Sequence, residues 1–298
     1  MQNTTYDPTI IHAWLAAPVR QQRFNSRPLH LVQPKQFRHD PSPPGYLESD
    51  ASWSPQWVHT LVRRVLSGLT IPTHIIPGDH DFKPRSLDAY HRALSADRLP
   101  KAATINGHRC LFLDIVSAGA GGPDFQIGAE QTQWLEHELV QAEHNRFPVA
   151  VFMHAYPGDL REDSHEIGNL FARHRVAFVD TGHTHYNELL NDGTTIYAAT
   201  RSTGQIEEGP VGFSIVTLDR GVASWRFKPL ETGWPFVMIT SPADYRLIID
   251  PQSSSQVIHR PFQIRAKIWG SIAPGSVVWH GDDGIEHPMS PVADEPCV

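Results

Sequence analysis

The 298-residue sequence predicts a mixed α/β chain followed by a small all-β domain. From residue 86 to residue 180, segments with helical spacing alternate with short apolar segments of the length of buried strands. From residue 188 onward the segments are short and strand-like, and Asn-Asp-Gly and Asp-Arg-Gly turns separate them. The change of pattern indicates layers of helices and strands, with the second half built from hairpins.

The predicted helices are recognised by apolar side chains at helical spacing. A first helix starts at Ser54-Pro55 and ends before Gly68. Three more are predicted over residues 86–96, 131–143 and 164–174. The second of these carries Trp134, Leu135, Leu139 and Val140 on its expected apolar face.

The predicted strands follow the same order along the chain. In the first half they cover residues 73–76, 109–116, 148–153 and 176–180. In the second half they cover residues 188–190, 194–199, 211–218, 222–227, 236–240, 262–269 and 276–279. Residues 231–235 look like a linker, so we predict one domain over 52–230 and a small β-sandwich, complete or truncated, over 235–298.

Residues 1–51 differ from the rest of the chain. Residues 8–44 contain seven prolines and a single acidic residue, and they lack the apolar run of a core strand. We interpret residues 1–51 as an atypical segment that is disordered, degenerate or the product of a frame shift.

At least one histidine follows closely after each of three predicted strands. Pro77-Gly78-Asp79-His80-Asp81 follows the first apolar run, and His154 follows the run 148–153. Gly182-His183-Thr184-His185 follows the run 176–180. Because the carboxyl ends of parallel strands meet at one edge of a sheet, these imidazoles and carboxylates are candidate metal ligands and proton carriers.

In this order the residues resemble a known family, the calcineurin-like metallophosphoesterases, and within it the bacterial 3',5'-cyclic-nucleotide phosphodiesterase branch. The family's motifs are Asp-x-His, Gly-Asp-x-x-Asp, Gly-Asn-His-Asp or -Glu, a strand-end His, and Gly-His-x-His. The last three are present, with Asp79 where the family usually has asparagine, and the resemblance covers roughly residues 52 to 230. It implies a four-layer β-sandwich flanked by helices, and residues 235–298 resemble an immunoglobulin-like accessory domain.

The resemblance also implies roles for individual residues. Asp79, His154 and His183 would bind one divalent metal ion. His185 would bind a second ion, and manganese or iron is the expected metal. His80 would stand near the scissile phosphate as a catalytic residue, and Asp81 would orient His80 or close its loop by a hydrogen bond.

The first two motifs of the family are not found. Pro28-Leu29-His30-Leu31 has the shape of the first motif, with proline in the aspartate's place. Tyr46 stands where the second motif would have its bridging aspartate. Unless His30, Asp40 or Asp50 replaces the missing ligands, the sequence predicts one bound metal and weakened or absent two-metal catalysis.

Composition excludes several other functions. The formal net charge of −7 and the lack of a lysine and arginine cluster argue against a nucleic-acid groove. The two cysteines are too few for a disulfide framework, and Cys110 lies in an apolar run typical of a core thiol. Neither a membrane-spanning apolar run nor a signal peptide is apparent, so the sequence predicts a cytoplasmic protein without a membrane partner.

Two functions therefore remain open. The first is a metal-dependent phosphodiesterase acting on cyclic nucleotides or similar small phosphoesters. The second is an inactive or impaired relative that keeps the fold and one metal site.

Overall fold

The computed structural model describes residues 62–64, 66–68, 72–82, 85–94, 98–121, 124–162, 164–201, 209–219, 222–252, 256–257, 263–270, 277–280 and 284–292. The segment 1–51, with His30, Asp40, Tyr46 and Asp50, lies outside the described residues, as does most of the helix predicted before Gly68. The described residues divide into two compact units, one over residues 62–201 and the other over residues 209–292. The predicted domain boundaries at 51, 230 and 235 stay predictions.

A six-stranded mixed sheet organises the unit over residues 62–201. Its strands are β1 Lys101–Ile105, β2 His108–Phe112, β3 Val149–Phe152, β4 Phe178–Thr181, β5 Glu188–Asn191 and β6 Ile196–Ala199. They lie in the order β1-β2-β3-β4-β6-β5. Strands β2, β3, β4 and β6 are parallel, while the edge strands β1 and β5 are antiparallel to their neighbours. The carboxyl ends of β3 and β4 therefore meet at one edge of the sheet.

The two central strands β3 and β4 are buried along their whole length, as expected of parallel strands. Three α-helices have both ends within the described residues, α1 Asp88–Leu94, α2 Ala129–His144 and α3 Ser164–Arg173. The connection from β2 to β3 contains α2, and the connection from β3 to β4 contains α3. Both helices contribute to one core, with Leu135 and Phe171 completely buried in it.

The other unit consists, over its described residues 209–292, of antiparallel strand pairs and one short 3₁₀ helix, Tyr245–Leu247. The strands are β7 Gly212–Asp219, β8 Val222–Pro229, β9 Phe236–Ser241, β10 Arg265–Trp269, β11 Val278–His280 and β12 Glu286–Pro288. They pair as β7 with β8, β9 with β10 and β11 with β12. Ile215, Phe236 and Met238 form a small core of this unit.

A buried lysine closes the turn after β8. Lys228 is 3% exposed, and its ammonium donates to the carbonyl oxygens of Pro229 and Thr232 and to Thr232 Oγ1. The ammonium also lies 4.9 Å from the ring centroid of Trp234. These acceptors and the aromatic face stabilise the ammonium charge in its buried position, where water no longer solvates it.

The prediction of a mixed α/β chain around a central sheet is confirmed. The strand predicted at 73–76 is wrong, since residues 72–78 are not assigned to a strand. The predicted strand 109–116 ends at Phe112, and the Asp114 carboxylate then accepts hydrogen bonds from the backbone N–H groups of Val116 and Ser117, which turns the chain. Strands β1 and β12 were not predicted. The four-layer arrangement and the immunoglobulin-like domain stay predictions.

Among the described residues, the helices are all too short or too polar to cross a lipid bilayer.

Candidate metal centre

The loop after residue 77 is a tight turn that presents Asp79. The backbone N–H of Gly78 donates to Asp81 Oδ2 at 2.9 Å, and the N–H of Asp81 donates back to the Gly78 carbonyl at 3.0 Å. Phe82, which is 8% exposed, anchors the end of the turn in the core. Asp81 therefore closes this loop, and Asp79 at its tip is directed towards the ends of β3 and β4.

His154 connects the ends of β3 and β4. It follows β3 directly, and its carbonyl oxygen accepts hydrogen bonds from the N–H groups of Gly182 at 2.9 Å and His183 at 2.8 Å. The loop after β4 is thus fixed to the loop after β3 by its backbone. These bonds place the side chains of His154 and His183 next to each other, with ring centroids 5.4 Å apart.

Asp79, His154 and His183 form a cluster of three possible metal ligands. His154 Nε2 lies 2.9 Å from Asp79 Oδ1, and His183 Nδ1 lies 3.7 Å from the same oxygen. One ligand atom from each of the three side chains lies within 4.8 Å of the other two. The side chains of Asp79 and His154 are only 16% and 13% exposed, so the cluster is largely shielded from solvent.

The two histidines set the charge state of Asp79. Burial by itself would raise the pKa of this carboxyl, but the hydrogen bond from His154, the neighbouring His183 imidazole and the charges of His154 and His80 hold the pKa well below its usual range. Asp79 is therefore an anion at neutral pH, and His154 Nε2 is the donor of the hydrogen bond between them.

The cluster fits a divalent cation. One carboxylate oxygen and two imidazole nitrogens are a ligand set that zinc, iron and manganese accept. His183 Nδ1 is buried without a hydrogen-bond partner, although it lies close to an anionic oxygen. A cation among the three side chains would satisfy this nitrogen and neutralise Asp79.

The other predicted site residues lie around this cluster. His80 is 65% exposed, with its Nε2 3.8 Å from Asp79 Oδ2. His185 has a left-handed backbone with φ of 62° and belongs to no cluster of three metal-binding side chains among the described residues. Burial, followed by the charges of His183 and His80, lowers the pKa of His185, which keeps its imidazole neutral. The predicted roles of these residues stay predictions.

Sequence reasoning missed two residues beside the cluster. The Phe125 ring lies 4.7 Å from the ring of His183 and 5.8 Å from that of His154. The pKa of the Asp159 carboxyl is raised by burial, against smaller opposite effects of a hydrogen bond from the N–H of Tyr156 and of the charge of His183. Glycines at 119, 121 and 128 mark the loop around Phe125 as tightly folded, and this was the signal available in the sequence.

Comparison with known proteins gives a likeness to solved structures alone. No protein family and no curated protein matches the chain by sequence. A dimetal phosphatase from Danio rerio is similar in structure, with a TM-score of 0.47 and 14% identity over 59% of this chain and 75% of that one. The protein TT1561 of Thermus thermophilus is also similar, with a TM-score of 0.39 and 16% identity over 59% of this chain and 80% of that one.

Proposed function

We propose that this chain is a metal-dependent phosphoester hydrolase that holds a divalent ion between Asp79, His154 and His183. One observation carries the proposal: the imidazoles of His154 and His183, from two loops far from Asp79 in sequence, converge on a single oxygen, Asp79 Oδ1, at 2.9 and 3.7 Å. An anionic carboxylate and two imidazoles in a shielded position form a ligand set that divalent metal ions accept.

The proposed chemistry assigns separate tasks to the residues. A bound divalent ion would supply Lewis-acid stabilisation to the phosphoryl group. His80 is solvent-accessible next to the cluster, where it can bind the phosphoester and donate a proton to the departing oxygen. Asp81 keeps the loop closed by accepting the Gly78 N–H, so that Asp79 and His80 stay at the tip.

The proposed substrate is a small phosphodiester, with cyclic nucleotides as the first class to test. The order of the three motifs supports this choice, because it resembles the cyclic-nucleotide phosphodiesterase branch. Manganese and iron are the proposed metals, and the protein is proposed to act in the cytoplasm without a nucleic-acid or membrane partner.

Metal analysis combined with a hydrolysis assay tests the proposal. The purified chain, loaded with Mn²⁺ or Fe²⁺, should retain metal after gel filtration and hydrolyse bis-p-nitrophenyl phosphate. His183→Gln should abolish both properties because it removes a ligand from the cluster. His144→Gln, an exposed histidine at the end of α2, is the matched control and should change neither. Turnover that His183→Gln leaves intact would overturn the proposal.

A second candidate function is a relative that keeps the fold and one metal but lacks catalysis. The observation in its favour is the isolation of His185 from any three-residue cluster among the described residues. This candidate predicts one metal equivalent per chain and no turnover, whereas the hydrolase predicts turnover. Two equivalents with turnover would exclude it.

A further inference from the structure

Phe125 forms a compact aromatic cluster with the two histidines of the candidate metal centre. Its ring meets that of His183 at an interplanar angle of 80° and that of His154 at 67°, both edge-to-face arrangements. The two imidazoles meet each other at 62°, with centroids 5.4 Å apart. Each of the three rings therefore touches the other two, and Phe125 is the member without a metal-binding atom.

The backbone holds Phe125 firmly. It forms a parallel bridge with Leu160, and its carbonyl oxygen accepts the Arg161 N–H at 3.0 Å. The neighbouring Asp124 carboxylate binds the Arg161 guanidinium at 2.9 Å. A Cβ at Gly119 would lie 2.0 Å from the Asp124 carbonyl oxygen, so the loop closes tightly on itself. Phe125 is 1% exposed and has no room to swing away.

We infer that Phe125 is a positioning residue that fixes the ring planes of His154 and His183 for metal binding, an inference that rests on the metal site of the proposed function. A histidine can rotate about its side-chain bonds, and its nitrogen must face the ion for a bond to form. The edge-to-face contacts favour one ring orientation over the others because the positive edge of one ring meets the negative face of the next. An aliphatic side chain fills the same space without this preference.

Cobalt binding by the full-length chain tests the inference. Wild type, Phe125→Leu and the control Phe171→Leu are titrated with Co²⁺ alone, and the visible absorption of the bound ion is recorded. Phe171 is equally buried in the same core but lies in α3. Phe125→Leu should weaken Co²⁺ binding by about 10-fold and alter the absorption spectrum, as expected for loss of a residue that orients ligands. Phe171→Leu should lose comparable thermal stability and keep the affinity and the spectrum.

A second measurement uses the metal-free protein. The His154 Nε2–H that donates to Asp79 should give a protected imidazole NMR signal in wild type and Phe171→Leu, and this signal should be lost in Phe125→Leu. If Phe125→Leu does not fold, Phe125→Met replaces it under the same criteria. Wild-type affinity and spectrum in the Phe125 variant, or an equal loss in Phe171→Leu, overturns the inference.

The cobalt titration and the metal-free NMR measurement test the metal site and the role of Phe125 separately. A wild-type chain that does not bind Co²⁺ overturns the proposed metal site. The positioning role is then decided by the metal-free signal of His154, whose persistence in Phe125→Leu overturns it.

Discussion

Gly78 lies so close to His154 that it leaves no room for a side chain. A Cβ built on Gly78 would lie 2.7 Å from His154 Cε1 and 3.0 Å from His154 Nδ1. The imidazole cannot retreat without breaking its 2.9 Å hydrogen bond to Asp79. The glycine is thus required by the close approach of two loops, not by its own backbone angles.

Gly78→Ala should therefore displace His154. We expect a loss of about 1–3 kcal/mol in the free energy of unfolding, the usual cost of overpacking, together with at least 10-fold weaker Co²⁺ binding. Gly168→Ala is the control: a Cβ there meets nothing within 4 Å inside α3, so stability should rise by about 0.5–1 kcal/mol. Urea unfolding and cobalt titration measure both effects, and unchanged cobalt affinity in Gly78→Ala would contradict the expected displacement.

Cys110 is a second residue whose behaviour follows from its surroundings. It is completely buried in β2, and burial raises the pKa of its thiol to about 12, against a smaller opposite effect of Arg109. Only the thiolate reacts with disulfide reagents, and at pH 8 its fraction is on the order of 10⁻⁴. In a Cys297→Ser variant, Cys110 should not react with Ellman's reagent at pH 8 until guanidinium unfolds the chain. Rapid labelling of the native variant would contradict this expectation.

Among the secondary-structure elements, α2 shows which of the side chains at helical spacing are buried. The sequence predicted an apolar face that includes Leu135, Leu139 and Val140. The structure buries Leu135 and Leu139 completely, whereas Val140 is 46% exposed. The face is therefore narrower than predicted, because successive residues on a helix point about 100° apart and Val140 follows Leu139 directly.

Truncation of Leu135 and of Val140 should lower the free energy of unfolding by very different amounts. Leu135→Ala should lower the free energy of unfolding by about 2–5 kcal/mol, because it removes transfer energy and leaves a cavity. Val140→Ala should change the stability by less than about 0.5 kcal/mol, since its side chain is already partly in water. Urea unfolding of both variants checks the difference, and similar losses would show that Val140 packs more deeply than its exposure indicates.

The sequence predicted the elements of the sheet better than their ends. The run 148–153 contains β3, and the run 176–180 overlaps β4 up to Asp180, because runs of apolar residues are typical of parallel strands covered on both faces. Lys101-Ala102-Ala103-Thr104-Ile105 forms β1 without a strand-like pattern, since it is an edge strand whose hydrogen bonds to β2 stabilise it. Such pairing is a tertiary property that no local pattern contains.

At the candidate metal centre, the positions of the two histidines could be predicted from the sequence, but the packing of Phe125 against their rings could not. His154 and His183 follow recognisable strands, so sheet topology alone brings them to one edge. Phe125 lies in an irregular loop between β2 and α2, and its contact with both imidazoles depends on how that loop packs. A single aromatic residue without periodic neighbours carries no local signal of this contact.

At the scale of the whole molecule, Asp79 links stability to pH. Its pKa is held below the value of 3.8 in the unfolded chain, so the native state binds fewer protons than the unfolded state near that pH. The stability contributed by Asp79 is present above pH 4 and is lost as the pH falls through 3.8 and below. In metal-free protein, Asp79→Asn should make the free energy of unfolding less dependent on pH between about 5 and 3. Parallel urea-unfolding profiles for the variant and wild type would contradict this.

Metal binding should also stabilise the whole molecule. A ligand that binds only the native state at about 100 times its Kd raises the free energy of unfolding by about 2.7 kcal/mol. Thermal unfolding with and without Mn²⁺ should show this shift in wild type and in His144→Gln, and not in His183→Gln. An equal shift in all three proteins would place the ion elsewhere on the chain.

The order of the strands also determines how far the histidine loop must reach. Residues 182–187 leave β4 and enter β5, yet β6 lies between these two strands in the sheet. The loop therefore crosses the end of β6, a distance of about two strand spacings, or roughly 10 Å. Six residues can extend to about 20 Å, and the surplus is taken up by a turn in which the His185 N–H donates to the Gly182 carbonyl. Residues inserted after His185 should therefore lengthen the loop without moving the strands on either side, while the backbone of Gly182 and His183 stays bonded to His154.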